Sequence, residues 1–258
     1  MKQSIFVLAA LLCLTISSCS SDDNTISGEG HITLEFDNAY NDNDLILSTT
    51  SYNACGAEQI TINKLKYIIS NIRLENENGE EFTYPKNDSY FIVSEENQSS
   101  QFIDLSQVPA GNYTKITFGI GVDQEKYLEG AEGQGDFLEL ATNEGMIWSW
   151  TAGYKFLVYE GMYTSESVTA ETAFSVHMGS HGTALDNYSE LTLDLPMDAV
   201  VRTNVAPAIH IVANISDILN GTNQIFLEQG DQIHVDGEKA PLIVANVDEM
   251  FTVDHIHN

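Results

Sequence analysis

Seven histidines occur in the chain, at positions 31, 177, 181, 210, 234, 255 and 257. Four of them fall in two tight groups. His255-Ile-His257 reads as the end of a strand, where side chains two residues apart share a face, so both rings point one way at chelating spacing. Residues 174–182 carry His177 and His181, with Met178 between them as a soft thioether. Imidazole suits copper, zinc, nickel and iron. Neither spacing matches a stereotyped zinc motif. Asp254 precedes the C-terminal pair and can orient a ring by accepting from the nitrogen that does not bind metal. Taken singly, a histidine is more often a surface group or a satisfied core residue. The pairing, in an acidic chain, is what points to a metal.

The second stretch with chemical content is residues 146–161, which hold both tryptophans, Trp148 and Trp150. Turn residues bracket it, with Asn143 and Gly145 before and Gly161 at its end. The residues between are aromatic, β-branched or apolar apart from Lys155 and Glu160. That predicts a strand with a break near Gly153. Alternation then puts Trp148 and Trp150 on one face. Two readings stand side by side: a pair of core aromatics in a β-protein, or part of a site.

Other candidate motifs fail on inspection. Residues 119–123 lack the third glycine and the helix of a nucleotide loop. Residues 37–44 look like a calcium loop but lack its central glycine and its distal bidentate glutamate, so a solvated loop is expected there. No Ser-His-Asp arrangement or nucleophile elbow is present. Carboxylates are too numerous for any pair to stand out.

Residues 145–156, Gly-Met-Ile-Trp-Ser-Trp-Thr-Ala-Gly-Tyr-Lys-Phe, followed by Tyr159-Glu-Gly161, resemble the signature of the MbnP-like copper-binding proteins. The Gly-Val-Asp at 121–123, the His177-Met-Gly179 stretch and the Met250-Phe251 before the C-terminal histidines fit the same pattern, over about residues 31–258. The resemblance implies a secreted protein or lipoprotein that binds copper. It also implies a dihaem partner of the MbnH type that oxidises a tryptophan, Trp148 or Trp150, to kynurenine. Indole nitrogen is a donor only and a poor ligand, whereas the aniline-type amine of kynurenine has a lone pair for a metal. Together with the His-x-His spacing, the resemblance makes His177, His255 and His257 the expected main copper ligands, with His210 and His181 in reserve. Some members carry a cysteine partner for Cys55 near the His-Met-Gly stretch; this chain has none there.

The chain opens with Lys2, a short apolar run over residues 5–16, and Ile16-Ser-Ser-Cys19. That run is too short to span a bilayer, which needs about 20 residues. It reads as a lipoprotein signal over residues 1–18, with Cys19 cleaved to the N-terminus and lipidated; an ordinary signal peptide is the alternative. Residues 19–30 form a polar tether. The expected location is the bacterial outer membrane, on its periplasmic or surface face. Of three cysteines, Cys13 leaves with the signal and Cys19 carries lipid. Cys55 is then alone, either buried or a soft ligand. Thirty-eight acidic residues against ten basic ones give a net charge of −28, which excludes nucleic-acid binding by electrostatics and favours cations and basic partners.

The elements that must position these groups are nearly all strands. Ile32, Leu34 and Phe36 alternate with polar residues; residues 64–74 run to an Asn78-Gly79 hairpin turn. Residues 101–105, 113–120, 191–195 and 207–215 repeat the pattern, and residues 216–221 suit one helical turn. Strands punctuated by Gly, Pro and Asn predict a single all-β domain over residues 31–258, an antiparallel sandwich or barrel-like fold. The expected function is copper capture, storage or delivery without catalysis. The alternatives are a glycan- or protein-binding lipoprotein with Trp148, Trp150 and Tyr154 as a stacking platform and no metal, and a copper oxidoreductase. Replacing the lipidated residue, Cys19→Ala, is expected to move the protein from the membrane fraction to the soluble one. Fractionation of the native host checks this, and an unchanged membrane fraction would refute the lipid anchor.

Overall fold

Alternation builds the first long strand. In β1 (Glu29–Tyr40), Ile32, Leu34 and Phe36 are fully buried, while His31, Thr33, Glu35 and Asp37 face outward. The computed structural model describes residues 26–180, 185–234 and 236–258. Cys19, the signal segment and His181 lie outside them. The strands that follow are β2 (Asn43–Asp44), β3 (Ser51–Asn53), β4 (Gln59–Asn76), β5 (Glu81–Thr83), β6 (Tyr90–Ser94), β7 (Phe102–Pro109) and β8 (Gly111–Ile120). Three short helices, α1 (Gln124–Leu128), α2 (Gly130–Gly133) and α3 (Asp136–Asn143), lead to β9 (Ile147–Ser149), β10 (Gly153–Thr164), β11 (Thr172–Gly179), β12 (Ser189–Val201) and β13 (Ala208–Asn214). The last stretch holds α4 (Asp217–Asn220), β14 (Gln232–Ile233), α5 (Lys239–Glu249) and β15 (Phe251–His257).

These strands form two sheets. The smaller runs β15–β13–β1, with β2 and β7 also on β1; the larger runs β12–β8–β4–β10–β11–β14, with β3, β5 and β6 on β4 and β9 on β10. Pairings are antiparallel except β1 with β13 and β11 with β14. The result is the expected all-β sandwich, without closure into a barrel. The Asn78-Gly79 turn joins β4 to β5, with Gly79 at φ +79°, as that dipeptide predicts.

Four rings tie the layers together. Phe36 and Phe251 of the smaller sheet meet Tyr67 and Phe118 of the larger, edge to face, at centroid distances of 5.3 to 6.2 Å. Edge-to-face contact sets the positive ring edge against the negative face of its neighbour. The Tyr67 hydroxyl donates to Asn38 Oδ1 at 2.9 Å, and Asn38 Nδ2 donates to Glu95 at 2.9 Å. Residues 37–40 are thus the end of β1, with residues 38–40 buried, and not the solvated loop expected from their composition; the turn itself begins at Asn41, whose φ is +54°.

The C-terminal strand is held at both ends. Before it, Asn246 of α5 is fully buried, accepting from Asn223 N at 2.8 Å and donating to Asn223 O at 2.7 Å. Pro241 sits in the first turn of α5, where no backbone donor is needed. After it, the Asn258 side chain accepts from Val200 N at 2.7 Å and donates to Asp198 O at 3.0 Å.

Asp123 is the polar counterpart of the ring cluster. Its carboxylate caps α1 at Lys126 N and accepts from Asn71 Nδ2, Tyr90 Oη and Lys86 Nζ at 2.7 to 3.0 Å. Burial works to raise its pKa, but these donors outweigh burial and hold it at about 2, below the ordinary 3.8. A depressed pKa means that the folded state binds this proton less readily than the unfolded chain. The resulting stability is complete above the unfolded value and lost as pH falls through the folded one, and the shift corresponds to about 2 kcal/mol. Asp123→Asn is expected to lower unfolding free energy by about that much at neutral pH. The gap to the native protein should close as pH falls from about 4 to about 2. Urea titrations across that range check it; a gap constant with pH would contradict it.

Candidate metal centre

The long strand β10 carries Glu160, and its neighbour β11 carries Ser175 and His177, in an antiparallel register that pairs Glu160 with Ser175 and Val158 with His177. Phe174, Val176 and Met178 fill the core, so Ser175 and His177 point to the other side of the sheet. His177 Nε2 lies 2.6 Å from Glu160 Oε1 and 3.1 Å from Ser175 Oγ. The two-residue strand β14 pairs parallel with β11 and delivers His234 next to them. Its ring stacks on His177 at 4.5 Å and 12°, and its Nε2 lies 2.8 Å from Ser175 Oγ.

Burial pushes the His177 pKa below the usual imidazole value, against the hydrogen bond to Glu160, with Lys155 and His234 adding to the downward push. Burial also works to raise Glu160, but His177 and Lys64, whose Nζ is 3.4 Å away, bring it below the ordinary carboxylate value. The pair is therefore a neutral ring beside a carboxylate. A carboxylate only accepts, so Nε2 carries the His177 proton and the lone pair sits on Nδ1. This is the usual arrangement of a ligating histidine, held by an acceptor on its far nitrogen. The donor set fits copper on that ground.

The tryptophans are divided between two environments. The strand expected over residues 146–161 folds back after Ser149, and β9 pairs with β10 through Ser149–Gly153 and Ile147–Tyr154. Gly153, at φ +93°, makes the return possible. Trp150 therefore lies in the turn and does not share a strand face with Trp148. Its ring packs on Tyr127 at 5.2 Å and edge-on to Tyr154 at 6.4 Å, while Tyr127 Oη donates to Trp150 O at 3.1 Å. Trp148 instead covers Gly179. A Cβ at Gly179 would come within 2.8 Å of Trp148 Cζ3, so only glycine admits the indole there. On β11, residue 179 shares its face with Ser175 and His177, and the residue 177 and 179 positions are about 7 Å apart. Trp148 thus lies over the β11 position two residues from His177. A three-ring stacking platform is excluded, because Tyr154 is only 1% exposed.

A second group of histidines sits on the outer face of the smaller sheet. His210 of β13 pairs with His255 of β15, and His257 follows one alternation later. The His210 and His255 Nδ1 atoms are 3.2 Å apart, and the His255 and His257 Nε2 atoms 2.9 Å apart. A bulge between His210 and Ile211 leaves Asp254 unpaired, with its Oδ2 at 2.7 Å from His255 Nδ1 and 3.9 Å from His210 Nδ1. Asp37 faces the far side of His210, with Oδ2 at 3.6 Å from Nε2.

The structure therefore joins His255, His257 and His210, and places His177 on the other sheet with His234. His31 is exposed and belongs to neither group. Sequence reasoning missed His234 and Glu160. The only signal for His234 was a single alternation, Gln232-Ile-His234, in a strand too short to be seen. Cys55 is a buried free thiol whose Sγ donates to Leu219 O at 2.9 Å, and burial raises its pKa. Surface clefts of about 400 Å³ beside Tyr40 and Tyr52 and about 330 Å³ beside Asn71 and Lys86 touch no histidine.

The architecture is a mixed-sheet sandwich with a tryptophan hairpin folded over Gly179 of β11. The family model of MbnP matches residues 29–235, and the chain belongs to the MbnP family. The solved structure of MbnP from Methylosinus trichosporium is similar at a TM-score of 0.44 and 10% identity, over 74% of this chain and 78% of that one. No curated protein matches the chain. The match takes in Trp148, His177, His210 and His234 and ends before His255.

The division of labour between the indoles is testable. Trp150→Ala, which removes a half-buried ring packed on two tyrosines, is expected to cost about 2–3 kcal/mol of stability. Trp150→Phe should restore most of that loss. Thermal and urea unfolding check it, and an unchanged midpoint for Trp150→Ala would refute a packing role.

Proposed function

We propose that this is a copper-binding protein of the cell envelope, and that its copper is held where the tryptophan hairpin meets β11. Family membership supports a copper-associated role. The observation that carries the local assignment is the position of Trp148, whose indole lies on Gly179, on the strand face that presents His177. His177 is the central ligand, Glu160 orients its ring, and His234 adds a second imidazole. Trp148 is the residue oxidised: the indole 2,3-bond opens as two equivalents of hydrogen peroxide deliver two oxygen atoms and leave as water, and hydrolysis releases the formyl carbon as formate. The aniline amine left behind gives position 148 a metal-binding lone pair beside His177. A dihaem partner of the MbnH type supplies the oxidising power. The acidic chain favours a basic face on that partner, so their encounter slows as salt rises. Lipid on Cys19 keeps the protein at the outer membrane. The role is capture, storage or delivery of copper, with no turnover of an organic substrate.

The test is peptide mass spectrometry with copper analysis of tag-free protein from its native host. Kynurenine gains one oxygen and loses one carbon relative to tryptophan, which separates it from simple hydroxylation. The expected result is kynurenine at position 148, tryptophan at 150, and loss of tight copper binding in both Trp148→Phe and His177→Ala. Full copper binding with Trp148 unmodified would defeat the assignment.

A further inference from the structure

The histidines left over from that reading form a group of their own. We propose that His210, Asp254 and His255, steadied by His257 and Asp37, are a second metal site, for a divalent transition ion of the Zn(II) or Cu(II) type. The site is independent of the copper reading: it lies on the other sheet, and Asp254, His255 and His257 fall beyond the region matched by the family model.

Convergence of donors is the first argument. Nδ1 of His210, Nδ1 of His255 and Oδ2 of Asp254 are separated by 3.2, 2.7 and 3.9 Å, and all lie within 4.8 Å of one another. Metal bonds of about 2.0–2.1 Å in a tetrahedron require donors roughly 3.3 Å apart, and the three separations straddle that value. Without an ion, only ring protons separate these three acceptor atoms, whichever tautomers the two imidazoles adopt. A cation in that place satisfies all three donors and displaces those protons.

The far nitrogens supply the second argument. His210 Nε2 faces Asp37 Oδ2 at 3.6 Å, and His255 Nε2 faces His257 Nε2 at 2.9 Å. His255 thus has an acceptor within hydrogen-bond distance for its remaining N–H, the feature that fixes tautomer and orientation at metal sites, and Asp37 stands as a carboxylate neighbour to the far nitrogen of His210.

The scaffold supplies the third. The ligands stand on two paired strands, and the bulge turns Asp254 to the same side as His255. Sites built on strands hold their geometry better than sites on loops. The rings face away from the core, so packing does not account for their grouping. The donors are imidazole and carboxylate with no sulfur, a set suited to Zn(II) and Cu(II) more than to Cu(I).

The test uses tag-free, metal-stripped full chain made in a host without the dihaem partner, so that both tryptophans stay intact. Calorimetric titration with Zn(II) should show one equivalent bound. It should be retained in His177→Ala and lost in the His210→Ala/His255→Ala double variant. Asp37→Asn and His257→Ala should each weaken it about tenfold. Imidazole ¹⁵N resonances of the unaltered protein provide a reading that does not depend on how a variant folds, and Zn(II) should shift those of His210 and His255. No Zn(II) uptake, undiminished binding in the double variant, or shifts confined to other histidines would overturn the site. None of these results bears on kynurenine at position 148, so the two readings fail separately.

Discussion

The contact among Phe36, Tyr67, Phe118 and Phe251 is the constraint on which the rest depends. These rings come from four strands in two sheets, and each ring locks by its edge against a neighbour's face. Aromatic pairs of this kind contribute about 0.5–1.5 kcal/mol each beyond the area they bury. Their larger effect is on register. Phe251 opens the strand that ends in His255 and His257. A one-residue slip there would turn both imidazoles into the sandwich and bring Ile256 out. Core packing on one side of β15 thereby decides the chemistry on its other side.

The same logic governs the larger sheet. Phe174, Val176 and Met178 point inward, which leaves Ser175, His177 and the bare position at Gly179 on the outer face. Glycine makes room for an indole, and Glu160 on the adjacent strand fixes the ring of His177. Each histidine group is thus assembled from neighbouring strands of one sheet, and not in a cleft between the layers. That suits binding of an ion that arrives and leaves by the surface.

Much of this was legible in the residues. The alternation of Ile32, Leu34 and Phe36 gave β1 and its core face, Asn78-Gly79 gave a hairpin, and His255-Ile-His257 gave two rings that do meet on one side. What could not be read was set by backbone detail or by distance in sequence. The turn after Ser149 sends the two indoles to different neighbours, and alternation cannot anticipate it. The bulge at Asp254 changes which face that residue takes. His234 and Glu160 meet His177 only because β14 and β10 flank β11. The grouping of His210 with His255, and the separation of both from His177, required knowledge of which strands share a sheet.

The bulge in β15 also bears on how the molecule keeps to itself. β15 ends the smaller sheet, with β13 as its ladder partner, and pairing by a second chain at its other edge would have to displace β12, which packs beside it. An irregular edge studded with polar and ionisable side chains is a poor template for such pairing. Asp254 interrupts the ladder, His255 and His257 crowd one side of the strand, and Asn258 fastens its end to the backbone of β12. The residues proposed to gather donors for an ion are thus also those that make this border of the sheet a poor template for pairing.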